Sequence, residues 1–176
     1  MHNSLASLPP ALTARLSLYR ARRREYISCI PFPETARVRM CKAVDTEVEE
    51  AEAALQEQPE PVARLRVGLA FWTDFYERDA QDPTPSEPDE EPGTEETEAR
   101  WTENSLLGFK RATELLDQGD HAGAFRVIAE MCQNPDQYGP VPGPLDLTGP
   151  RWLDLPPTLL PPGHSFLDEQ SEAVTK

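Results

Sequence analysis

A chain of 176 residues with 38% hydrophobic and 27% charged side chains is long enough for one ordinary domain, but its 19 prolines fall in clusters that leave only the stretches between them free to form helices. Three cysteines with no CxxC spacing argue against a disulfide scaffold and for a reducing compartment, and no run approaches the ~18 apolar residues of a membrane span, so the chain reads as soluble. The net charge of -14 is uneven: residues 1–42 carry eight Arg or Lys against Glu25 and Glu34, so the remainder is strongly acidic.

Pro9 and Pro10 suit a first helical turn, where the missing amide hydrogen is not needed, and predict a helix over residues 10–26. At 100° per residue Leu12, Leu16, Tyr19, Tyr26 and Ile27 share a face. Arg15 and Arg22 flank it on one side, Arg20 and Arg24 on the other, and Arg23 falls within it. This cationic collar is expected to meet acids of residues 45–57, acids of the acidic linker described below, or a partner. The prolines of "CIPFPE" end the helix.

From Glu34 to Gln58 there is no Gly or Pro, and Cys41, Val44, Val48, Ala51 and Leu55 form a narrow seam suited to one partner helix. The next segment, from Val62 to Ala80, is the most apolar. Leu65, Val67, Leu69, Phe71, Trp72, Phe75 and Tyr76 cover most of its circumference, which predicts the most buried helix, with Trp72 in the core.

Residues 79–99 hold nine acids and four prolines with no base, the composition of a disordered acidic linker, assigned to residues 80–100. Thr102 is the expected cap of a last helical pair, with Leu106, Phe109 and Leu116 on one inner face and Phe125, Ile128 and Cys132 on the other. Gly119 stops the first helix and Asp120 caps the second, giving an antiparallel hairpin. Beyond Asn134 the Pro/Gly-rich arm is expected to be extended.

The expected fold is therefore all-α: a small four- to five-helix domain interrupted by an acidic disordered linker, with an extended Pro-rich C-terminal arm. Residues 1–79 supply the N-terminal helices, 80–100 the linker, 101–134 a hairpin packed on those helices, and 135–176 the arm and tail.

"LLDQGDHAGAFRVIAEMCQNP" resembles the second half of a tetratricopeptide repeat. Gly119, Asp120, Ala124 and Pro135 fall close to that family's turn glycine, small interhelical residue and terminal proline, while Gly108 and Arg111 depart from its large apolar positions. The resemblance implies a helical hairpin and peptide binding in a helical groove. "PLDLT", Pro144 to Thr148, resembles the short ligand of the C-terminal-binding-protein family of corepressors, which implies an exposed, extended pentapeptide.

No catalytic signature is present: GxSxG, a phosphate loop and a metal-ligand spacing around His2, His121 or His164 are all missing. No enzyme activity, cofactor or metal is expected. The predicted function is a non-catalytic helical adaptor, or an assembly or regulatory factor. It binds a protein partner through its helical body and arm, with Trp152, Leu153, Leu155, Leu159 and Leu160 as apolar anchors and Arg20, Arg22, Arg23 and Arg24 as charged contacts. The alternative is an acidic regulator that competes with nucleic acid for a basic site on a nucleic-acid-handling protein. Direct nucleic-acid binding is disfavoured by the overall charge, and no membrane partner is expected. A cytoplasmic setting follows, or the mitochondrial matrix if the Arg-rich residues 1–26 are a transit peptide.

Overall fold

The computed structural model describes residues 8–81 and 94–160, and within them the chain is all-α, with no strand. Six α-helices run in chain order: α1 (Pro10–Cys29), α2 (Glu34–Glu57), α3 (Pro61–Gln81), α4 (Thr94–Asp117), α5 (His121–Gln133) and α6 (Pro135–Tyr138), followed by a 3-10 turn at Pro150–Trp152. Prolines begin α1, α3, α6 and the 3-10 turn, because the amide at the first helical position makes no intrahelical hydrogen bond that proline would lose.

The chain divides into two compact units. The first comprises α1, α2 and, from far along the sequence, Gly149–Asp154. Its buried apolar residues are Leu12, Leu16 and Ile27 of α1, the seam Val44, Val48, Ala51 and Leu55 of α2, and Trp152 with Leu153. The 3-10 turn that carries Trp152 packs on α2.

The second unit comprises α3 to α6 with the turns that follow them. The α4–α5 corner closes as the sequence predicts. Gly119 takes φ +81°, the Asp120 amide donates to the Leu115 carbonyl (2.9 Å) and the Gly119 amide to that of Leu116 (3.1 Å), a Schellman stop. The Asp120 carboxylate then accepts from the Gly123 amide (2.8 Å), capping α5. The Met131 side chain of α5 lies over Gly108, where an added Cβ would come within 2.5 Å of its sulfur, so a larger residue there would push that flexible side chain aside.

Four expectations change. Helix α3 joins α4 and α5 rather than α1 and α2, so the boundary falls between Glu60 and Pro61 and not near residue 79. Nor is α3 the most buried helix: it buries only Arg64, Leu65, Gly68 and Leu69, because a single neighbouring helix and the Leu145 turn cover one face. The stretch assigned to the linker shortens, since α3 reaches Gln81 and α4 begins at Thr94. Glu96 and Glu98 fall in the first turns of α4, where negative charge complements the helix dipole. Residues 82–93, the heart of the predicted acidic linker, lie outside the described residues.

The Pro-rich arm is not extended over its described part, residues 135–160; residues 161–176 of the predicted arm and tail lie outside the described residues. Its prolines open short turns, with the Leu145 amide donating to the Pro142 carbonyl (2.8 Å) and Leu159 to Pro156 (2.9 Å). Helix α4 grips α6 through three adjacent carbonyls: Trp101 Nε1 donates to Asp136 (3.1 Å), Asn104 to Gln137 (2.8 Å) and Ser105 to Tyr138 (2.8 Å). These satisfy the carbonyls that a four-residue helix cannot pair internally.

Candidate partner-docking surfaces

The anchors predicted in the arm are interior residues. Trp152 is 2% exposed and Leu153 is fully buried in the first unit, while Leu155 is buried in the second; only Leu159 and Leu160 stay half-exposed. Pro150 at the start of the 3-10 turn points the chain so that Trp152 fills the core, and a side chain held there cannot also anchor a partner. The "PLDLT" segment is likewise a turn, not an exposed ligand. Leu145 and Leu147 are buried, and the Asp146 carboxylate accepts from the Thr148 amide (2.9 Å). An added Cβ on Gly68 would lie 2.7 Å from a Leu145 methyl, so α3 is cut back at that position to receive it.

The arginine collar divides in two. Arg20 and Arg24 share the carboxylate of Asp45, Arg20 Nε at 3.5 Å and Arg24 in a direct hydrogen bond. Beside them the Tyr19 hydroxyl donates to Glu47 (3.2 Å). Arg22 and Arg23 make no ion pair among the described residues, and Arg23 is exposed rather than set in the apolar face. Tyr26 also leaves that face, being 60% exposed. Burial draws the Arg15 guanidinium below its usual range while Asp154 opposes the shift, and one of its terminal nitrogens is buried without a hydrogen bond.

In the second unit the surface that sequence reasoning missed is the outer face of α3. Val67, Phe71 and Phe75, spaced by four residues, are 55%, 60% and 48% exposed. Phe71 and Phe75 each meet Trp72 edge-on (5.3 and 5.2 Å between centroids), and Tyr76 stacks on Phe109 of α4 at 5.7 Å, so the exposed rings stand on a fixed aromatic base. The charges nearby are paired: Arg78 with Asp74 (2.5 Å), Lys110 with Glu77 (2.8 Å) and Arg66 with Asp117 (2.6 Å). Next to the stripe a groove of about 430 Å³ runs between α3 and α4, with Ala70, Thr73 and Thr113 among its lining. Aromatic richness had pointed to the core; only the separation of Leu65, Gly68 and Leu69 from Val67, Phe71 and Phe75 on the helical wheel signals two faces.

A second groove, of about 480 Å³, follows α4, α5 and α6 and is lined by Leu107, Arg111, Leu115, Arg126 and Val127. Among the described residues no three His, Cys, Asp or Glu side chains are grouped to hold a metal ion, and no helix is long and apolar enough to cross a membrane. No family model, curated protein or solved structure matches this chain.

Proposed function

We propose that the chain is a non-catalytic protein-binding factor, of adaptor or assembly type, that receives a partner helix along α3. The observation that carries this reading is the Val67–Phe71–Phe75 stripe: three large apolar side chains on one face, held out to solvent by a chain of net charge -14. Apolar groups at this spacing interdigitate with the ridges of another helix, and the groove beside Ala70 gives that helix a seat. Covering the exposed half of each such side chain contributes roughly 1–1.5 kcal/mol, and the three together support a specific contact once the cost of association is met.

The pairing of Asp45, Asp74, Glu77 and Asp117 with bases of the same chain supports an apolar contact over the acidic-regulator alternative, since paired carboxylates are poor mimics of a phosphate backbone. Three free cysteines, Cys29 among them exposed, support a reducing, cytoplasmic setting. The test is partner capture by the full chain and by Phe71→Ser/Phe75→Ser, at low and at raised ionic strength. Capture that persists in salt and is lost in the variant, with the melting temperature unchanged, is the expected result. Equal capture by both proteins refutes the α3 site.

A further inference from the structure

The segment Gly149–Asp154 is held in the first unit in the manner of a bound peptide. The chain up to Thr148 and again from Leu155 belongs to the second unit, so six consecutive residues leave one core to fill another. Pro150, Trp152 and Leu153 are buried there, Trp152 2% and Leu153 0% exposed. The backbone of this strap closes on itself: the Trp152 amide donates to the Gly149 carbonyl (3.3 Å) and the Leu153 amide to that of Pro150 (3.4 Å). It presents to the helices a preset 3-10 turn packed on α2, two large buried side chains, and the Asp154 carboxylate, whose charge acts on Arg15 of α1. One terminal nitrogen of Arg15 is nevertheless buried without a hydrogen bond. The strap thus leaves a donor unsatisfied, at a cost that a better-placed carboxylate would remove.

From this we infer that the α1–α2 hairpin carries a docking cleft for a short segment of another protein with the pattern proline, any residue, tryptophan, leucine, acid, and that the strap occupies this cleft in cis as an internal competitor. A proline two residues before the tryptophan fixes the turn before binding, which lowers the cost of ordering the segment. Tryptophan and leucine supply the apolar burial, and the acid meets Arg15. The tether favours the strap, because an intramolecular segment acts at an effective concentration of order millimolar. A partner wins by satisfying the Arg15 nitrogen that the strap leaves unpaired, or by being presented at a comparable local concentration. The cleft lies in the first unit and shares no residue with the α3 stripe, so the two readings fail separately.

The test is fluorescence anisotropy of a fluorescein-labelled peptide with the sequence of residues 148–155, TGPRWLDL, titrated with full-length chains. Trp152→Ala, and Trp152→Leu as the milder variant, weaken the hold of the strap. Both bind the peptide, and the parent chain binds it about tenfold or more weakly because its own strap is in place. The peptide also raises the melting temperature of both variants and restores helicity to one that has lost it, so the result is readable even where Trp152→Ala does not fold alone. A peptide with alanine in place of its tryptophan does not bind. One with asparagine in place of its aspartate binds several-fold more weakly, and that difference disappears in Arg15→Gln/Trp152→Leu. Adding Phe71→Ser/Phe75→Ser to Trp152→Leu leaves peptide binding unchanged. The inference is overturned if neither variant binds the peptide or gains stability from it, if the parent chain binds it as tightly as the variants do, or if the alanine or asparagine peptide binds equally well.

Discussion

Cys132 shows how the second unit sets the chemistry of a single side chain. Burial, chiefly, pushes its thiol up to about 12, with the Asp146 carboxylate adding to the shift and a hydrogen bond from the Leu147 backbone opposing it. At neutral pH it is a protonated, unreactive thiol, whereas Cys29 is exposed. Alkylation of the native chain followed by peptide mass spectrometry should therefore label Cys29 first and Cys132 only after denaturation. The folded state prefers the protonated thiol, so this group's stabilisation is complete below about pH 9 and is lost as pH rises toward about 12. Cys132→Ala should lose less stability than the parent chain across that interval in chemical denaturation. The cysteine's place near the inner face of α5 was legible in its spacing from Phe125 and Ile128. The carboxylate beside it was not, because Asp146 arrives on a turn that local sequence does not align with α5.

At the scale of the element, the α4–α5 corner was readable because its signals are local and redundant. Gly119 supplies the left-handed residue, Asp120 the cap, and the same two residues satisfy both helix ends. Asp120→Ala should lower stability by about 1 kcal/mol, the usual effect of losing an N-cap, with m-value unchanged in urea denaturation. Helix α3 was misread for the opposite reason. Phe71, Phe75 and Trp72 have the composition of a core, and composition does not say how many neighbours a helix will have. Its Leu65–Gly68–Leu69 face meets α4 and the Leu145 turn, while the Phe71 face meets water. The early start of α4 was hidden by a run of glutamates, which describes a linker and the first turn of a helix equally well.

For the molecule as a whole, the decisive residue is Trp152. The sequence marked it as too apolar for a tail, yet gave no sign of whether it served an interior or a partner; the structure assigns it to the core of the first unit. Trp152→Ala should destabilise the protein by about 3–5 kcal/mol, a large share of the 5–15 kcal/mol that holds a typical domain together, read as a lowered denaturation midpoint. Removing the arm from Gly149 onward should do the same, so weaker partner capture by that truncation reports lost folding and not a lost anchor. Helices α1 and α2 and the distant segment Gly149–Asp154 thus contribute to one core, although α3 to α6 separate them in sequence.

That discontinuity imposes an order of events on a growing chain. The α1–α2 hairpin leaves the ribosome with a gap where Trp152 belongs and waits for about 90 further residues, roughly 5–20 s at ordinary elongation rates, before its core can close. During that interval α2 lacks the cover that the 3-10 turn gives it, while α3 to α5 are already available to pack on one another. The earliest helices made are the last to be finished, and the nascent first unit is the species most in need of protection from aggregation.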